Sequence, residues 1–266
     1  MAARSALITV MLKAAEKTGR ALVRDFGEVE QLQVSRKGPA DFVSTADVKA
    51  DRLLREELAK ARPKFGFITE EGDDVEGEAG APRWIVDPID GTTNFLHGLP
   101  HWAISIGVEE GGDIIAGVIH DPIKNETFWA ERGAGAFSSS RRMRVSGRKD
   151  LRSCLLATGI PFHGSERDTG AFKAQLDFAM QKTAGVRRFG SAALDMAYVA
   201  AGRFDGFWEE GISAWDVAAG IILVREAGGT ATALDGKSDV LFGGTILAAN
   251  AEIHAALQRG LNGAGA

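Results

Sequence analysis

The chain has 266 residues, of which 45% are hydrophobic and 25% charged, and its formal net charge is −5. This balance is typical of a soluble enzyme with one large domain or two modest ones, and the acidity argues against a broad surface for nucleic acid. No apolar run approaches the roughly 20 residues of a membrane helix, and the single Cys154 excludes an intramolecular disulfide. We therefore expect a cytoplasmic protein that does not associate with a membrane.

The N-terminal part of the chain predicts two helices with an extended segment between them. Residues up to about 26 form an amphipathic helix, and Lys13, Glu16 and Lys17 interrupt its apolar stretch too early for a signal peptide. A hairpin-like segment follows over residues 31–45, and a second helix over residues 47–61.

The rest of the chain changes from consecutive strands to an alternation of strands and helices. Short apolar runs separated by Gly-Gly and Asp-Pro turn signals predict an antiparallel sheet, and the later alternation is typical of α/β structure. The predicted strands are residues 65–68, 103–108, 114–120, 127–130, 155–158, 186–189, 205–208 and 246–250; the predicted helices are residues 170–183 and 191–201, and an apolar helix that begins near residue 216.

The most informative stretch is Trp84-Ile85-Val86-Asp87-Pro88-Ile89-Asp90-Gly91-Thr92-Thr93-Asn94-Phe95. Its apolar start predicts a buried strand, and Pro88 and Gly91 predict a forced turn after it. The turn carries Asp87 and Asp90, whose carboxylates are suited to metal ions. Hydroxyl and backbone N–H groups from Thr92 onwards, where a helical turn begins, form an anion site beside them. Taken alone, the stretch is also compatible with an ordinary surface turn.

Acidic residues at two other places in the sequence strengthen the metal hypothesis. Glu70 and Glu71 follow the predicted strand at residues 65–68, and open α/β sheets bind ligands at the carboxyl ends of their strands. Asp216 begins an apolar helix, where an isolated acid is expected as a cap or as a partner of the helix dipole. The combination of these positions with Asp87 and Asp90 favours a metal site over unrelated turns and caps.

Four motifs in order resemble the inositol monophosphatase family, the lithium-sensitive, Mg²⁺-dependent phosphatases that also include relatives of fructose-1,6-bisphosphatase. The most specific motifs are the run from Asp87 to Phe95 and Trp215-Asp216-Val217-Ala218-Ala219-Gly220. The other two are Lys37-Gly38-Pro39-Ala40-Asp41-Phe42-Val43-Ser44-Thr45-Ala46-Asp47 and Phe67-Ile68-Thr69-Glu70-Glu71. The resemblance spans the chain from about Lys37 to the last strand near Asn250.

The resemblance implies an αβαβα sandwich, whereas periodicity alone predicts only mixed α and β structure. An N-terminal α+β half, residues 1–140, would carry most metal ligands, and a C-terminal α/β half, residues 141–266, would carry Asp216 and the substrate side, in one compact catalytic unit. The implied reaction is Mg²⁺-dependent hydrolysis of a phosphomonoester, myo-inositol 1-phosphate, by metal-activated water. A homodimer and inhibition by Li⁺ are implied as well.

The resemblance also assigns metal ligands for two to three Mg²⁺ ions, which prefer oxygen donors. Glu70, Asp87 and the backbone carbonyl of Ile89 would hold one ion, and Asp87, Asp90 and Asp216 would hold a second. Asp87 would then bridge the pair. A third, weaker ion is implied near Glu70.

The remaining roles concern the water, the phosphate and the alcohol. Glu70, through its metal, and Thr92 would activate and orient the attacking water, with Asp47 holding the Thr92 hydroxyl; Asp47 is equally compatible with a helix cap. The phosphate would rest on the N–H groups of Gly91 and Thr92. The alcohol side would be contacted by Asp90, Gly190, Ser191, Ala192 and Glu209. Ser191 stands where the family often has Thr, and Glu209 could also be a simple exposed charge.

Other functions remain open at this stage. A haloacid-dehalogenase type phosphatase would space its acids as Asp-x-Asp-x-Thr, whereas this chain has Asp87-x-x-Asp90, which favours attack by water over a phospho-enzyme. Related sugar, histidinol or nucleotide phosphates are alternative substrates, because selectivity is determined by pocket loops that motifs do not encode. A secondary role in binding RNA or the transcription machinery would depend on short basic runs at residues 141–144 and 187–188.

Overall fold

The computed structural model describes residues 4–26, 34–38, 41–161 and 169–263, and every structural statement refers to these residues. Among them, no helix combines the length and the apolar character that crossing a membrane requires. Residues 31–33 of the predicted hairpin, together with Pro39 and Ala40 of the motif there, lie outside the described residues. The described part contains β1 (Val34–Gly38) and β2 (Asp41–Ser44), which pair in antiparallel orientation.

The first layer consists of two helices, α1 (Ala6–Phe26) and α2 (Thr45–Ala61), as the sequence predicts. The apolar side chains of α1 recur at helical spacing, and the face that includes Ile8, Met11 and Leu22 is buried. The two helices contact each other and lie on one face of the first sheet.

The second layer is a seven-stranded sheet whose strands follow one another in chain order. β3 is parallel to β4, and each later neighbouring pair is antiparallel, which confirms the predicted antiparallel region. The strands are β3 (Gly66–Thr69), β4 (Arg83–Asp90), β5 (Ala103–Glu110), β6 (Asp113–Asp121), β7 (Glu126–Glu131), β8 (Gly135–Ser138) and β9 (Arg141–Arg142).

The end of β4 differs from the predicted turn. The strand continues through both acids, with Asp87 opposite Ser105 and Asp90 opposite Ala103, so that β4 contains one more residue than β5 over this interval. Such a bulge accommodates Pro88, which has no N–H to donate to a neighbouring strand. The predicted turn at Gly91 is confirmed by its left-handed φ of 99°, whereas a turn that begins at Asp87 and Pro88 was a wrong prediction, because a bulge lets the chain bend while it keeps its partner strand.

The C-terminal part forms a second, five-stranded sheet in the order β11-β10-β12-β14-β13. The predicted alternation of strands and helices is confirmed, although β12 extends to Glu210, so that Glu209 lies within this strand and not after it. The strands are β10 (Leu155–Thr158), β11 (Gly185–Arg187), β12 (Gly206–Glu210), β13 (Thr230–Thr232) and β14 (Thr245–Ala249); the helices are α3 (Thr92–Leu96), α4 (Thr169–Lys182), α5 (Ala192–Ala200), α6 (Ala214–Glu226) and α7 (Ala251–Gly263), with a 3₁₀ helix at Leu151–Ser153.

The layers alternate as the resemblance implies. Helices α5 and α6 pack against each other between the two sheets, and α4 and α7 contact the second sheet and each other. With α1 and α2 outside the first sheet, the arrangement is the αβαβα sandwich that we predict. The division into halves near residue 140 stays a prediction, since α6 of the C-terminal half packs directly on strands of the first sheet.

Helix α6 lies unusually close to the first sheet because two strands carry glycine beneath it. A Cβ atom at Gly107 would be 2.7 Å from Ala218 Cβ, and one at Gly117 would be 2.8 Å from Ala219 Cα. Larger residues at these positions would push the helix outward. The close approach brings Asp216, in the first turn of α6, to the bulged end of β4.

Candidate metal and phosphate site

Three carboxylates meet where β4 approaches the start of α6. Asp87 and Asp90 come from the bulge, and Asp216 comes from the first turn of the helix. One oxygen from each carboxylate lies within 4.8 Å of those from the other two. Asp87 and Asp90 are only 1% and 7% exposed, so these charges are held largely out of water. Asp216 lies 129 positions after Asp87 and 126 after Asp90 in the sequence, and only the fold brings it to them.

Glu70 approaches the cluster from the neighbouring strand. It directly follows β3, and its backbone N–H donates to the carbonyl oxygen of Val86 on β4 at 3.3 Å. Burial, and then the charges of Glu70, Asp90 and Asp216, hold the pKa of Asp87 well above the usual carboxyl range. Glu70 is therefore an electrostatic neighbour of Asp87, as a shared metal ion would require.

Asp90 is held by the N-terminus of α5. Its Oδ2 accepts hydrogen bonds from the Ser191 hydroxyl and from the Ala193 N–H, the latter at 2.9 Å, and its Oδ1 accepts one from the Ala192 N–H at 3.3 Å. Burial raises the pKa of Asp90 to about 6, although these hydrogen bonds act in the opposite direction. Two predicted substrate contacts, Ser191 and Ala192, thus contact and orient a predicted metal ligand.

The sequence allowed Asp216 to be either a helix cap or a metal ligand, and the structure is compatible with both roles. Its Oδ2 accepts a hydrogen bond from the Ser213 N–H at 2.7 Å, and the Ser213 side chain caps the same helix in return. Burial and the neighbouring acids, Asp90 first, raise the pKa of Asp216 well above its ordinary value. It is a helix cap and a member of the acidic cluster at once.

The cluster fits a hard divalent cation. Among the described residues it is the one place where three or more potential metal-ligating side chains converge, and all of its ligand atoms are oxygens. Buried carboxylates at this separation repel one another, and their raised pKa values express that repulsion. A bound cation would offset it.

Thr92 connects the cluster to α2. Its Oγ1 lies 3.1 Å from Asp47 Oδ1 and 3.1 Å from the carbonyl oxygen of Ile89, so its one proton can be donated to either acceptor. The Ile89 N–H in turn donates to Asp87 Oδ1 at 2.9 Å. Asp47 lies in the first turn of α2 and is 1% exposed, and the contact with Thr92 is a role beyond that of a helix cap.

The β4–α3 corner lies directly against the start of α5. Gly91 has a φ of 99°, and a Cβ atom there would lie 3.0 Å from the carbonyl oxygen of Gly190. Asn94 Nδ2 donates to the carbonyl oxygens of Phe189 and His101 at 2.8 Å and 2.7 Å. Asn94 therefore links the start of α3 to the segment that precedes α5. The sequence motif includes Asn94 but gives no indication of this role.

A cavity of about 210 Å³ opens beside the carboxylates. Its walls include the predicted substrate residues Asp90, Gly190, Ser191, Ala192 and Glu209, together with Asp216. Glu209 reaches this space from β12 across Gly159, where a Cβ atom would overlap its carboxylate. The same cavity is lined by Arg188, which the sequence suggested only as part of a basic run for nucleic acid, and by Asp195, to which the Sequence analysis assigned no role.

The fold and the acidic pocket together define a layered α/β protein with a cluster of carboxylates that is suited to a metal ion. The sequence model described as the inositol monophosphatase family matches residues 3–264. The chain therefore belongs to the inositol monophosphatase family, which confirms the predicted resemblance.

Relatives and solved structures agree with this placement over nearly the whole chain. The inositol-1-monophosphatase of Rhizobium meliloti is 54% identical over 256 residues, which are 96% of each chain. The Nus factor SuhB of Pseudomonas aeruginosa is 41% identical over 254 residues, or 94% of each chain. The crystal structure of the extragenic suppressor protein suhB from Bartonella henselae superposes with a TM-score of 0.93 at 54% identity and covers 97% of this chain and 98% of its own.

Proposed function

We propose that the protein is a Mg²⁺-dependent phosphomonoesterase that hydrolyses myo-inositol 1-phosphate to inositol and phosphate. Membership of the family confirms the enzyme class, a phosphoric monoester hydrolase. The observation that carries the proposal is the convergence of the Asp87, Asp90 and Asp216 carboxylates beside a cavity that Glu209 lines. The name of the Rhizobium meliloti relative supports the choice of inositol phosphate.

In this proposal the chain offers ligands for two to three Mg²⁺ ions. Glu70, Asp87 and the Ile89 carbonyl would hold one ion, and Asp87, Asp90 and Asp216 a second. When bound, Mg²⁺ supplies positive charge that offsets the phosphate oxygens and lowers the pKa of a bound water. The Ile89 carbonyl oxygen has two lone pairs, so accepting the Thr92 hydroxyl leaves it able to act as a ligand.

The chain's own groups would position water, phosphate and alcohol. Asp47 holds the Thr92 hydroxyl, which leaves the hydroxyl oxygen directed to accept a hydrogen bond from the attacking water. The backbone N–H groups of Gly91 and Thr92, where α3 begins, would donate to phosphate oxygens. Glu209 and the segment at residues 190–192 line the space for the alcohol.

A substrate panel tests the proposal. We expect kcat/KM for myo-inositol 1-phosphate, measured by phosphate release with saturating Mg²⁺, to exceed that for histidinol phosphate, fructose 1,6-bisphosphate and nucleotide monophosphates. Removing Mg²⁺ with a chelator should stop every reaction. Preference for another ester would reject the substrate while leaving the chemistry intact, and chelator-resistant turnover would reject the chemistry.

The mechanism has its own test against covalent catalysis. Attack by water predicts that no acyl phosphate forms on Asp87, and that oxygen from heavy-oxygen water enters the released phosphate in a single step. Rapid acid quenching followed by peptide mass spectrometry would detect a phospho-enzyme. Its capture on Asp87 would establish the haloacid-dehalogenase type of mechanism instead.

Ser191 is predicted to set the affinity of the site for Mg²⁺, because its hydroxyl donates to Asp90. Ser191→Ala should raise the Mg²⁺ concentration for half-maximal activity by about 10-fold to 100-fold, the effect typical of removing a hydrogen bond to a metal ligand. Ser191→Thr keeps the hydroxyl and serves as the matched control. Equal Mg²⁺ dependence of the Ala and Thr variants would contradict the role.

Gly159 is predicted to be required for the position of Glu209. Gly159→Ala places a methyl group where the Glu209 carboxylate lies, and should raise KM for myo-inositol 1-phosphate by about tenfold or more, as loss of a charged hydrogen bond does. Gly147→Ala is the control, because a Cβ atom there meets nothing within 4 Å. A KM that is unchanged in Gly159→Ala would show that Glu209 does not contact the substrate.

A second function is suggested by the relatives named Nus factor SuhB, for example the one from Pseudomonas aeruginosa. We propose that any such role in RNA or transcription is secondary here, since the chain carries a net charge of −5. Asp90→Asn separates the two functions, because it should remove turnover and leave the outer surface unchanged. A strain that lacks the wild-type protein is supplied with Asp90→Asn. If this variant has no turnover but restores the normal cellular phenotype, the binding role is the important one.

The finer predictions of assembly and inhibition also stay proposals. We propose a cytoplasmic homodimer that Li⁺ inhibits by competing for a labile Mg²⁺ position. Sedimentation at micromolar concentration should give twice the chain mass, and Li⁺ should inhibit at limiting Mg²⁺. A monomer, or full activity in high Li⁺, would contradict the respective proposal.

A further inference from the structure

The loop that carries Glu70 is fastened to helix α2 by one arginine. Arg55 Nη2 donates to the hydroxyl oxygen of Thr69 at 2.5 Å and to the carbonyl oxygen of Asp73 at 2.9 Å. The hydroxyl oxygen of Thr69 also accepts a hydrogen bond from the Gly72 N–H at 3.2 Å. A single guanidinium group therefore holds both ends of the segment from Thr69 to Asp73, and Glu70 lies between them.

Arg55 is in turn held by an acid on its own helix. Its Nε donates to Asp51 Oδ2 at 2.7 Å, and the side chains of Arg55 and Asp51 are only 21% and 9% exposed. The loop passes directly over this pair, because a Cβ atom at Gly72 would overlap the guanidinium group and would lie 2.9 Å from Asp51 Oδ2. Arg55 Cζ also lies 5.6 Å from the ring centroid of Phe67 on β3. These contacts fix the direction in which the guanidinium group points.

The same face of α2 contacts the other part of the proposed water site. Asp47, Asp51 and Arg55 are spaced four residues apart, so they lie along one face of the helix. Asp47 contacts the hydroxyl of Thr92, whereas Arg55 contacts the loop of Glu70. One helix therefore contacts both groups to which we assign the attacking water.

The position of Glu70 matters because its carboxyl group lies against the metal cluster. A side-chain hydrogen bond joins Glu70 to Asp87, and burial and then the charge of Glu70 are the largest causes of the raised pKa of Asp87. Strand β3 ends at Thr69, and the Glu70 N–H still donates to the carbonyl oxygen of Val86 on β4. The contacts of Arg55 hold the loop beyond this point.

We propose that Arg55, oriented by Asp51, is a positioning residue that holds the Glu70 carboxylate in place for its Mg²⁺ ion. This inference rests on the proposed metal-dependent function and concerns the assembly of the same site. The sign of the effect is diagnostic. A positive charge repels a cation, so the charge of Arg55 alone would weaken Mg²⁺ binding, and its removal would strengthen binding. Loss of the positioning contacts must instead weaken binding.

The experiment measures metal binding separately from turnover. Mn²⁺, which occupies the same kind of octahedral oxygen site as Mg²⁺, is titrated into wild type, Arg55→Met and Thr69→Val, and free Mn²⁺ is measured by electron paramagnetic resonance. We expect both variants to bind one of the Mn²⁺ ions about 10-fold to 100-fold more weakly, the effect of losing an outer contact of a metal ligand. The Mg²⁺ concentration for half-maximal phosphate release should rise to the same extent, while KM for myo-inositol 1-phosphate at saturating Mg²⁺ should change less than about twofold.

Each variant has a matched control. Arg52→Met removes an exposed arginine from the same helix, where it forms an ion pair with Glu56 four residues later, and should leave Mn²⁺ affinity unchanged. Thr69→Ser keeps the hydroxyl that accepts from Arg55 and should keep the affinity of the wild type. Arg55→Lys retains the charge but replaces the planar fork of donors by one ammonium group, so it should restore only part of the affinity.

The outcomes separate positioning from a merely structural role and from the proposed function. Unchanged or stronger Mn²⁺ binding in Arg55→Met would overturn the inference, even with a lower thermal midpoint in chelator, and so would an equal loss in Arg52→Met. If Arg55→Met fails to fold, Thr69→Val decides, because it changes no charge; wild-type affinity in that variant would overturn the inference. A wild type that binds Mn²⁺ but hydrolyses no phosphate ester would refute the proposed function, and the Mn²⁺ titrations would still decide the inference.

Discussion

Asp87→Asn should abolish turnover and, at the same time, make the metal-free protein more stable. The change removes a negative charge from the centre of the buried cluster, where Glu70, Asp90 and Asp216 act on it, and the amide oxygen can still accept the 2.9 Å hydrogen bond from the Ile89 N–H. We expect a gain of about 1–3 kcal/mol in the free energy of unfolding without metal, the scale of an uncompensated buried charge. The loss of activity should be about 10³-fold or more, since both proposed Mg²⁺ ions depend on Asp87.

Thermal unfolding with chelator and with added Mg²⁺ measures this effect. Mg²⁺ should raise the midpoint of the wild type, because it binds only the folded state, and should raise that of Asp87→Asn much less. The gain in the free energy of unfolding that Asp87→Asn brings without metal should be larger at alkaline than at acidic pH. A raised pKa means that the folded wild type takes up the proton before the unfolded chain does, so its charge penalty disappears as pH falls. If Asp87→Asn were less stable than the wild type without metal, this would contradict the claim that the charge of Asp87 destabilises the metal-free cluster.

Thr92→Val and Asp47→Asn should each lower kcat by about 10²-fold to 10⁴-fold with a small change in KM, the range expected for loss of a group that orients the reacting water. The physical reason is the 3.1 Å contact between Thr92 Oγ1 and Asp47 Oδ1, through which the carboxylate directs the hydroxyl proton away from the water. Because Asp47 acts through Thr92, the double variant should be scarcely slower than Thr92→Val.

A double-mutant cycle on kcat, with Thr92→Ser as the matched control, measures this coupling. Thr92→Ser keeps the hydroxyl and should retain most of the activity. Multiplicative losses in the double variant would show that Asp47 and Thr92 work independently. In that case Asp47 would be reduced to its role in the first turn of α2.

The sequence was most informative about features that depend on neighbouring residues, namely the helices, the strands and the acids beside them. The spacing and the runs of apolar residues predicted most helices and strands to within a few residues, since outer helices such as α1 bury one face and inner elements such as β4, β5 and α6 are buried along most of their length. The acids at Glu70, Asp87, Asp90 and Asp216 could be singled out because each comes after an apolar run of the sequence or starts an apolar helix. Their convergence could be expected only through the family resemblance, because Asp216 joins the cluster through a helix whose close packing depends on glycines in distant strands.

Other features of the site were beyond the reach of sequence patterns. Pro88 between two acids is a turn signal in isolation, and only pairing with β5 makes the segment a bulge. Ser191 was predicted to contact the alcohol, and this stays a prediction; the donation of its hydroxyl to Asp90, a partner 101 positions away, could not be foreseen from the sequence. Asp195 has the pattern of an ordinary first-turn acid, and its unsatisfied oxygen can be recognised only from burial in three dimensions.

The most direct test of the metal site is a Mg²⁺ titration of phosphate release from myo-inositol 1-phosphate, carried out on wild type and Asp216→Asn. Asp216 comes from helix α6, whereas Asp87 and Asp90 come from strand β4. The effect of Asp216→Asn therefore depends on the assembled cluster. We expect no release by the wild type without Mg²⁺, saturable activation when Mg²⁺ is added, and loss of activation or a shift to much higher Mg²⁺ in Asp216→Asn. Release without Mg²⁺, or the same Mg²⁺ dependence in both proteins, would contradict a carboxylate-held metal centre.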